Sequence, residues 1–354
     1  MLLFNFGAAS VVVAQPGKSS PSRAPKWEIA FHAGFDGTTN PRGGLATPFP
    51  AAPTLEVGGA FAPSRRIPSW FFGEGAAVFN AARTQILGVP PPIAPLDDLF
   101  ERASTHRTSG AVFGARIARW LNARYALEFS FDVGTGTMAL TPETLETIEV
   151  TRASFVPAFA TLFGARLTDG HARATIVEQE GRHLVATGAL VINLMQSDRF
   201  APYAVVGGGI DSPRGEAAEV ALDGMYEFRT ALAMSLIRET DTVTIQYESA
   251  RSLVMMFGGG FRWDLSPRSG LRGEVRVHLG SNGPHVLVST AATNVRLEGP
   301  PTAVLFVATP SLLFSGSTTL MSTLSGSAVE RFEAFRTSAL WTRAAITFGY
   351  FLRF

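Results

Sequence analysis

Cysteine is missing from the 354 residues, and lysine nearly so: apart from Lys18 and Lys26, every base other than histidine is arginine. The first absence excludes a disulfide framework, thiolate metal sites and cysteine nucleophiles, and leaves the compartment open. The second leaves the base that pairs best with carboxylates in confined places. Net charge is nearly missing too, at +1, which removes the electrostatic footprint of a nucleic-acid binder. Charged residues reach only 17 %, against roughly 25 % in soluble domains. Beyond the N-terminus, no stretch attains the ~18 uninterrupted apolar residues of a spanning helix. Yet 46 % of residues are hydrophobic. An apolar chain without a spanning helix suits a membrane β-barrel, where only alternate strand residues face lipid. The length admits two globular domains or one large barrel.

Residues 1–14 read as an export signal, with the small residues Val12-Val13-Ala14 before a cut at Gln15. No basic residue precedes the apolar run, so either the true start lies upstream or the signal is weak. A buried N-terminal strand is the rival reading. Residues 15–26, rich in Pro, Ser and Lys, read as a flexible linker to a barrel over 27–354.

What the chain does contain is alternation. Trp27, Ile29, Phe31, Ala33 and Phe35 alternate with Glu28, Ala30, His32, Gly34 and Asp36, the mark of a strand with one greasy and one small or charged face. The same division recurs at 111–117, 125–133, 253–265, 271–279 and 343–354, and more weakly at 184–195. Residues 202–211 complete a set of eight, although their two faces are hard to tell apart. Short turns at 120–124, 196–201 and 266–269 alternate strictly with long segments at 37–109, 136–183, 212–252 and 281–342. Outer-membrane barrels have this asymmetry, with short periplasmic turns and long extracellular loops. The expected fold is therefore all-β: a transmembrane antiparallel up-and-down barrel of eight strands, its long loops containing short helices. Two rivals stand beside it. A soluble lipocalin-like barrel would turn the greasy face inward. A ten-stranded barrel would add 242–248 paired with 220–229, which are read here as an extracellular hairpin extension.

Within the loops, Ser69 is positioned to cap a helix from Trp70 to about Leu87, with Phe72, Ala76 and Phe79 on one stripe. Thr141-Pro142 starts a second helix, with Leu145, Ile148, Arg152, Phe155, Phe159 and Leu162 at helical spacing. Pro157 is expected to kink or break it. These helices either fold over the barrel mouth and bury their stripes or offer a groove to a partner.

If the greasy faces point outward, Glu28, Glu128, Asp132, Asp264 and Glu274 meet Arg116, Arg262, Arg272, Arg276 and Arg343 inside, joined by His32 and His278. Unpaired charges in a narrow lumen cost several kcal/mol each, so a balanced set implies a cross-linked plug. A gated ion path is the alternative. The triplets 207–209 and 258–260 lack the Lys-Ser/Thr and helix of a phosphate loop, and read as strand glycines easing curvature. No zinc-protease or Gly-x-Ser-x-Gly motif occurs. His278-Leu279-Gly280-Ser281-Asn282 resembles the His-x-Ser-Asn arrangement of lipid A deacylases with one residue too many. On a continuous strand that puts His278 and Ser281 on opposite faces. No catalytic, cofactor-binding or metal-binding residues are assigned.

Three segments carry a family resemblance: Pro202-Tyr203-Ala204-Val205-Val206-Gly207-Gly208-Gly209, the run Phe257–Arg268, and Leu271–Val277. With them the chain resembles the small bacterial outer-membrane barrels of the OmpA-like type. In that family the C-terminal strand, here with Phe348, Tyr350, Leu352 and Phe354 at alternate positions, is the signal read by the barrel-assembly machinery. The resemblance covers the strands only. It implies a multi-pass protein of the bacterial outer membrane whose partners are outer-membrane lipids and, during biogenesis, the assembly machinery. The expected role is non-enzymatic, structural or surface-recognising. A narrow channel and a lipid-modifying enzyme are the alternatives.

Overall fold

A computed structural model describes residues 27–39, 43–51, 54–55, 64–87, 92–178, 182–195, 199–215, 217–230, 234–281, 283–300, 306–309, 312–314, 322–324 and 329–354. The expected signal (1–14) and linker (15–26) lie outside the described residues.

The strands that build the architecture are, in chain order, β1 (Trp27–Thr39), β2 (Gly44–Ala46), β3 (Gly110–Trp120), β4 (Tyr125–Gly134), β5 (Leu167–Val177), β6 (His183–Asn193) and β7 (Phe200–Pro213). They continue with β8 (Ala218–Arg229), β9 (Leu236–Ser249), β10 (Ser252–Ser266), β11 (Ser269–Gly280), β12 (Pro284–Glu298), β13 (Phe332–Thr337) and β14 (Trp341–Arg353). Eight of them close an antiparallel barrel in the order β1-β14-β11-β10-β7-β6-β4-β3. The chain's first and last described strands meet along a register from Glu28 opposite Arg353 to Thr39 opposite Thr342, so no edge is left open. Closure satisfies every ladder, the condition for a sheet to exist in lipid.

The alternation decides which way each side chain points. Phe31, Phe35, Phe113, Phe129, Leu253, Met255, Ile346 and Phe348 are exposed on the outside, while their polar neighbours are buried inside. Among the described residues no helix is long and apolar enough to cross a membrane; the strands do it. Four glycines of the triplets, Gly207, Gly209, Gly258 and Gly260, are needed for close packing. A Cβ on Gly258 would lie 2.3 Å from the Val275 carbonyl oxygen, and one on Gly260 2.2 Å from that of Gly273. The hairpin β10–β11 turns through Pro267 and Arg268 alone, between Ser266 and Ser269.

The long segments are more ordered than loops with short helices. All four contribute to one six-stranded antiparallel sheet, β2-β13-β12-β9-β8-β5, which caps the barrel at one end. The segments 220–229 and 242–248, the ten-strand rival, pair with each other here as β8 and β9, with Leu222 opposite Val243 and Val220 opposite Ile245. They lie outside the barrel. Strands β9 and β12 run almost without break into barrel strands β10 and β11. Helices α1 (Gly73–Leu87) and α2 (Pro142–Phe163) share the cap's aromatic core, in which Phe159 stacks on Tyr226 at 3.9 Å.

Both helices differ from expectation. Helix α1 starts at Gly73, and Ser69 does not cap it: its hydroxyl donates to Asp241 at 3.0 Å and accepts from the Phe71 N–H. Thr141 does cap α2, through the Thr144 N–H. Pro157 does not break α2, which runs as one helix of 22 residues. The lost backbone bond is offset by the full burial of Phe155, Ala158 and Phe159 on both sides of it. The buried stripe is Thr144, Ile148, Thr151, Phe155, Phe159 and Leu162; Leu145 is exposed and Arg152 reaches sideways to Glu149.

Candidate functional site

The barrel interior is where the sequence concentrates its chemistry. Inward positions of neighbouring strands share a height, so the polar side chains stack in three layers. At the short-turn end, Glu28 on β1 receives Arg353 at 3.1 Å and Arg262 at 3.6 Å. Arg353 also holds Asp264 at 2.8 Å, at the partly exposed rim. The Arg262 guanidinium lies 4.2 Å over the Trp120 ring and hydrogen-bonds Asn193.

The middle layer is the densest. Glu274 on β11 accepts from Arg116 at 2.6 Å, from Arg272, from Arg276, and from the Tyr203 hydroxyl at 2.6 Å. Glu128 on β4 takes Arg272 at 2.5 Å and Arg276. Arg272 also donates to the Tyr203 oxygen at 2.6 Å, so Tyr203 relays between base and acid. Arg116 has a second bond, to Thr347 at 3.2 Å. None of Arg116, Glu128, Arg272, Glu274 and Arg276 exceeds 5 % exposure, so this layer fills the cross-section. An eight-stranded barrel is only wide enough for that.

The third layer lies towards the cap. His32 meets Asp132 at 2.6 Å, His183 meets Asp36 at 3.2 Å, and Arg343 links Asp211 at 3.1 Å to Asp36 at 3.8 Å. His278 is buried, with neither ring nitrogen hydrogen-bonded. It lines a water-sized space of about 20 Å³ with Arg343, Arg276 and Thr347.

All ten expected lumen charges therefore lie on the inner side, but not as one cluster. Arg343 and Asp132 belong to the upper layer, Asp264 to the rim. Of the three lumen arginines on other strands, Arg116, Arg262 and Arg343, only Arg116 reaches Glu274: Arg262 goes to Glu28 and Arg343 to the aspartates. The other two partners, Arg272 and Arg276, sit two residues away on its own strand. Asp36, His183, Tyr203, Asp211 and Arg353 were not in the expected network. Asp36 and Arg353 share the inward parity of Glu28 and Arg343. Tyr203 lies on the parity of Asp211 in the one strand whose faces were ambiguous. His278 and Ser281 do part company: the imidazole is buried and Ser281 is exposed past the strand end. Asn282 lies outside the described residues. Phe348, Tyr350, Leu352 and Phe354 are all exposed on the outer face.

A second buried polar group sits in the cap. Asp241 accepts from the Trp70 backbone N–H at 2.6 Å and from Ser69. Beside it, Tyr226 donates to Glu239 and accepts from the Trp70 indole at 3.0 Å. Burial pushes the Asp241 carboxyl up to about 7, and pushes the Tyr226 hydroxyl well above its ordinary range. Both are held for packing and orientation: no exposed surface reaches either side chain. At the cap surface the bond from Arg336 holds Glu333 down at about 2.

No protein-family model matches the chain, and no curated protein does. Among solved structures the chain is similar to the outer membrane protein OprG of Pseudomonas aeruginosa. The identity is 11 %, the match covers 93 % of this chain and 98 % of that one, and the TM-score is 0.35. It is also similar to an outer membrane channel of Pseudomonas putida F1, at 10 % identity over 94 % and 100 % of the two chains, with a TM-score of 0.23. The toluene transporter TodX of P. putida follows at 9 % identity over 93 % and 90 %, with a TM-score of 0.22. The barrel itself rests on its own closed register and its outer apolar belt, which together make it an integral membrane barrel.

Proposed function

We propose that this protein is a barrel of the bacterial outer membrane with a structural or surface-recognition role, its lumen sealed by ion pairs. The observation that carries the reading is the middle layer, where Arg116, Arg272 and Arg276 converge on Glu274 and Glu128 with no exposed gap. A layer of fully paired charges resists both ions and water, and holds opposite walls of the barrel together. The apolar belt supports outer-membrane lipids as its surroundings, and the cap supports recognition on the far side. The OmpA-like resemblance, the export signal at 1–14 and the reading of Phe348, Tyr350, Leu352 and Phe354 by the barrel-assembly machinery belong to the same proposal. So does a non-enzymatic role, supported by the separation of His278 from Ser281.

Two measurements test it. The protein is expected to fractionate with the outer membrane and to migrate faster on gels when unheated. Recovery as a soluble periplasmic protein after gentle lysis overturns the membrane reading. In planar bilayers it is expected to be silent, and reproducible single-channel steps would replace the sealed lumen with the narrow-channel reading.

A further inference from the structure

The two ends of the barrel present different surfaces to the membrane. Trp27, Tyr125, Trp263 and Tyr350 are the exposed tryptophans and tyrosines among the described residues, and each lies near the short-turn end of its strand. Such rings collect where hydrocarbon meets headgroups, because one edge is apolar and the other polar. They set the depth of that end: the apolar belt stops there, and the short turns stand among the headgroups.

Every short turn carries an exposed arginine: Arg124 between β3 and β4, Arg199 between β6 and β7, and Arg268 between β10 and β11. A fourth, Arg119, is exposed on the lipid side of β3, on the parity of Phe113 and Ile117. A charge on that face is tolerated only near an interface. Trp27 stands opposite Arg119, whose guanidinium lies 5.6 Å from its ring centroid, and Arg124 lies 5.8 Å from that of Tyr125. Such contacts orient the charge without neutralising it. Among the described residues, the acids at this end are already engaged: Glu28 is buried, Asp264 is half-buried, and both hold Arg353. In sequence, Asp198 beside Arg199 and Lys26 beside Trp27 add one charge of each sign. What is left is a collar of four guanidinium groups with no carboxylate within ion-pair distance among the described residues.

The placement of the collar indicates its occupant. The four groups are spread around the barrel at one depth, which suits many small anions in a plane and not one soluble ligand. Arg119 sits beside the apolar belt, where a water-borne polyanion does not reach. Guanidinium forks match phosphate oxygens. A zwitterionic lipid returns an ammonium of its own, so a headgroup with net negative charge gains more. We propose that this collar selects anionic phospholipids, such as phosphatidylglycerol, in the leaflet at the short-turn end. The proposal rests on the membrane-barrel reading and is independent of the sealed lumen.

The test refolds the full chain into phosphatidylcholine vesicles containing either phosphatidylglycerol or phosphatidylcholine with brominated acyl chains, and reads quenching of tryptophan fluorescence. Trp27 and Trp263 are the reporters at the belt, since the other tryptophans lie inside the barrel or in the cap. An arginine near a charged surface is worth roughly fivefold, so phosphatidylglycerol should be preferred about fivefold at low salt. The preference should fall towards one at about 0.5 M salt. Neutralising the collar with Arg119→Gln, Arg124→Gln, Arg199→Gln and Arg268→Gln should bring it below about twofold. Arg331→Gln with Arg336→Gln, on the cap surface, should leave it unchanged. If the fourfold variant fails to fold, Arg124→Gln and Arg268→Gln are made singly in their turns, and each should lower the preference. Equal binding of the two lipids by the parent, an unchanged preference in the collar variants, or an equal loss in the cap variant each overturns the proposal. Failure to insert into either vesicle, seen as no gel shift of unheated protein, overturns the membrane reading itself and the proposal with it.

Discussion

Replacing Glu274 with glutamine separates a sealed lumen from a wet one. The Glu274 carboxylate is fully shielded from solvent and accepts from Arg116 at 2.6 Å, from Arg272 and Arg276, and from Tyr203. Glu274→Gln keeps the shape and removes the charge, leaving three arginines with Glu128 and, 3.9 Å from Arg272, Glu28. Breaking a buried pair in this way typically costs ~3–5 kcal/mol, because the stranded charge keeps its desolvation penalty. At ~1.4 kcal/mol per decade, that is more than a hundredfold in the unfolding equilibrium. The assay is urea unfolding in lipid vesicles, read by tryptophan fluorescence and by the gel shift of unheated protein. Arg116 is the informative partner, since Glu274 is its one carboxylate within ion-pair distance among the described residues. Arg116→Met with Glu274→Gln removes one charge of each sign, and Arg272 and Arg276 keep Glu128. The double variant should recover at least half of the loss. The control is the exposed cap pair Arg331–Glu248, 2.6 Å apart, where Glu248→Gln should cost ~1 kcal/mol or less. If Glu274→Gln costs no more than the control, the charged face is bathed in water and the plug does not exist.

Other consequences are equally open to measurement. Deleting Phe354 should lower assembled protein at the membrane more than deleting 142–163 (helix α2), because β14 closes the barrel against β1; membrane levels by immunoblot decide this, and normal levels of the truncation count against it. Gly258→Ala places a methyl 2.3 Å from the Val275 carbonyl oxygen, whereas a Cβ at Gly188 meets nothing within 4 Å; refolding yield should fall for the first and hold for Gly188→Ala. The cap should lose stability as pH rises. Asp241 ionises at about 7 in the folded cap against ~3.9 unfolded, so its contribution is full below ~4, declines up to about 7 and is flat above. The ceiling is about 4 kcal/mol, from about three pH units at ~1.36 kcal/mol each. Amide exchange of the cap at pH 5 and pH 8 should show the difference, and Asp241→Asn should erase it. Glu333, held at about 2, has the opposite sign but acts only below ~4.5, outside that window.

The barrel strands were legible because the side-chain period of two is a local property that lipid on one side and charge on the other make extreme. Phe31 and His32, or Val275 and Arg276, declare their faces without reference to any other strand. The cap was less legible for the opposite reason. Residues 220–229 and 242–248 show their pairing, but β2 and β13 are too short to carry a pattern, at three and six residues. Their place in the sheet comes from long-range contacts of segments far apart in sequence. Ser69 is the clearest case of tertiary override. Its type and position suit a helix cap, yet the buried carboxyl of Asp241, 172 residues away, accepts its hydrogen bond instead.

The same distinction separates what parity says about the lumen from what it leaves open. Parity assigns a side chain to the inside; it does not assign a partner. Partners on one strand need nothing more, since inward residues two apart are neighbours, which is why Arg272 and Arg276 flank Glu274. Partners across the lumen need the closure register. Arg116 stands on β3, which touches neither neighbour of β11, and it meets Glu274 only because the barrel is narrow enough for an arginine and a glutamate to span it. Tyr203 fits the same logic, on β7 beside β10 and one strand removed from β11. It follows that a wider barrel would undo the cross-lumen pairs even with every charged residue in place. The upper layer is built between neighbouring strands instead. Gly114 lies between His32 and Asp132 on the two flanking strands, and an added Cβ would fall 2.2 Å from Asp132 and 2.6 Å from His32. Gly114→Val should therefore break the His32–Asp132 contact and lower the unfolding midpoint by as much in a barrel carrying Arg116→Met with Glu274→Gln as in the parent. A clearly smaller loss in the double-variant background would show that the glycine and the cross-lumen pair are coupled, and that the layers do not act independently.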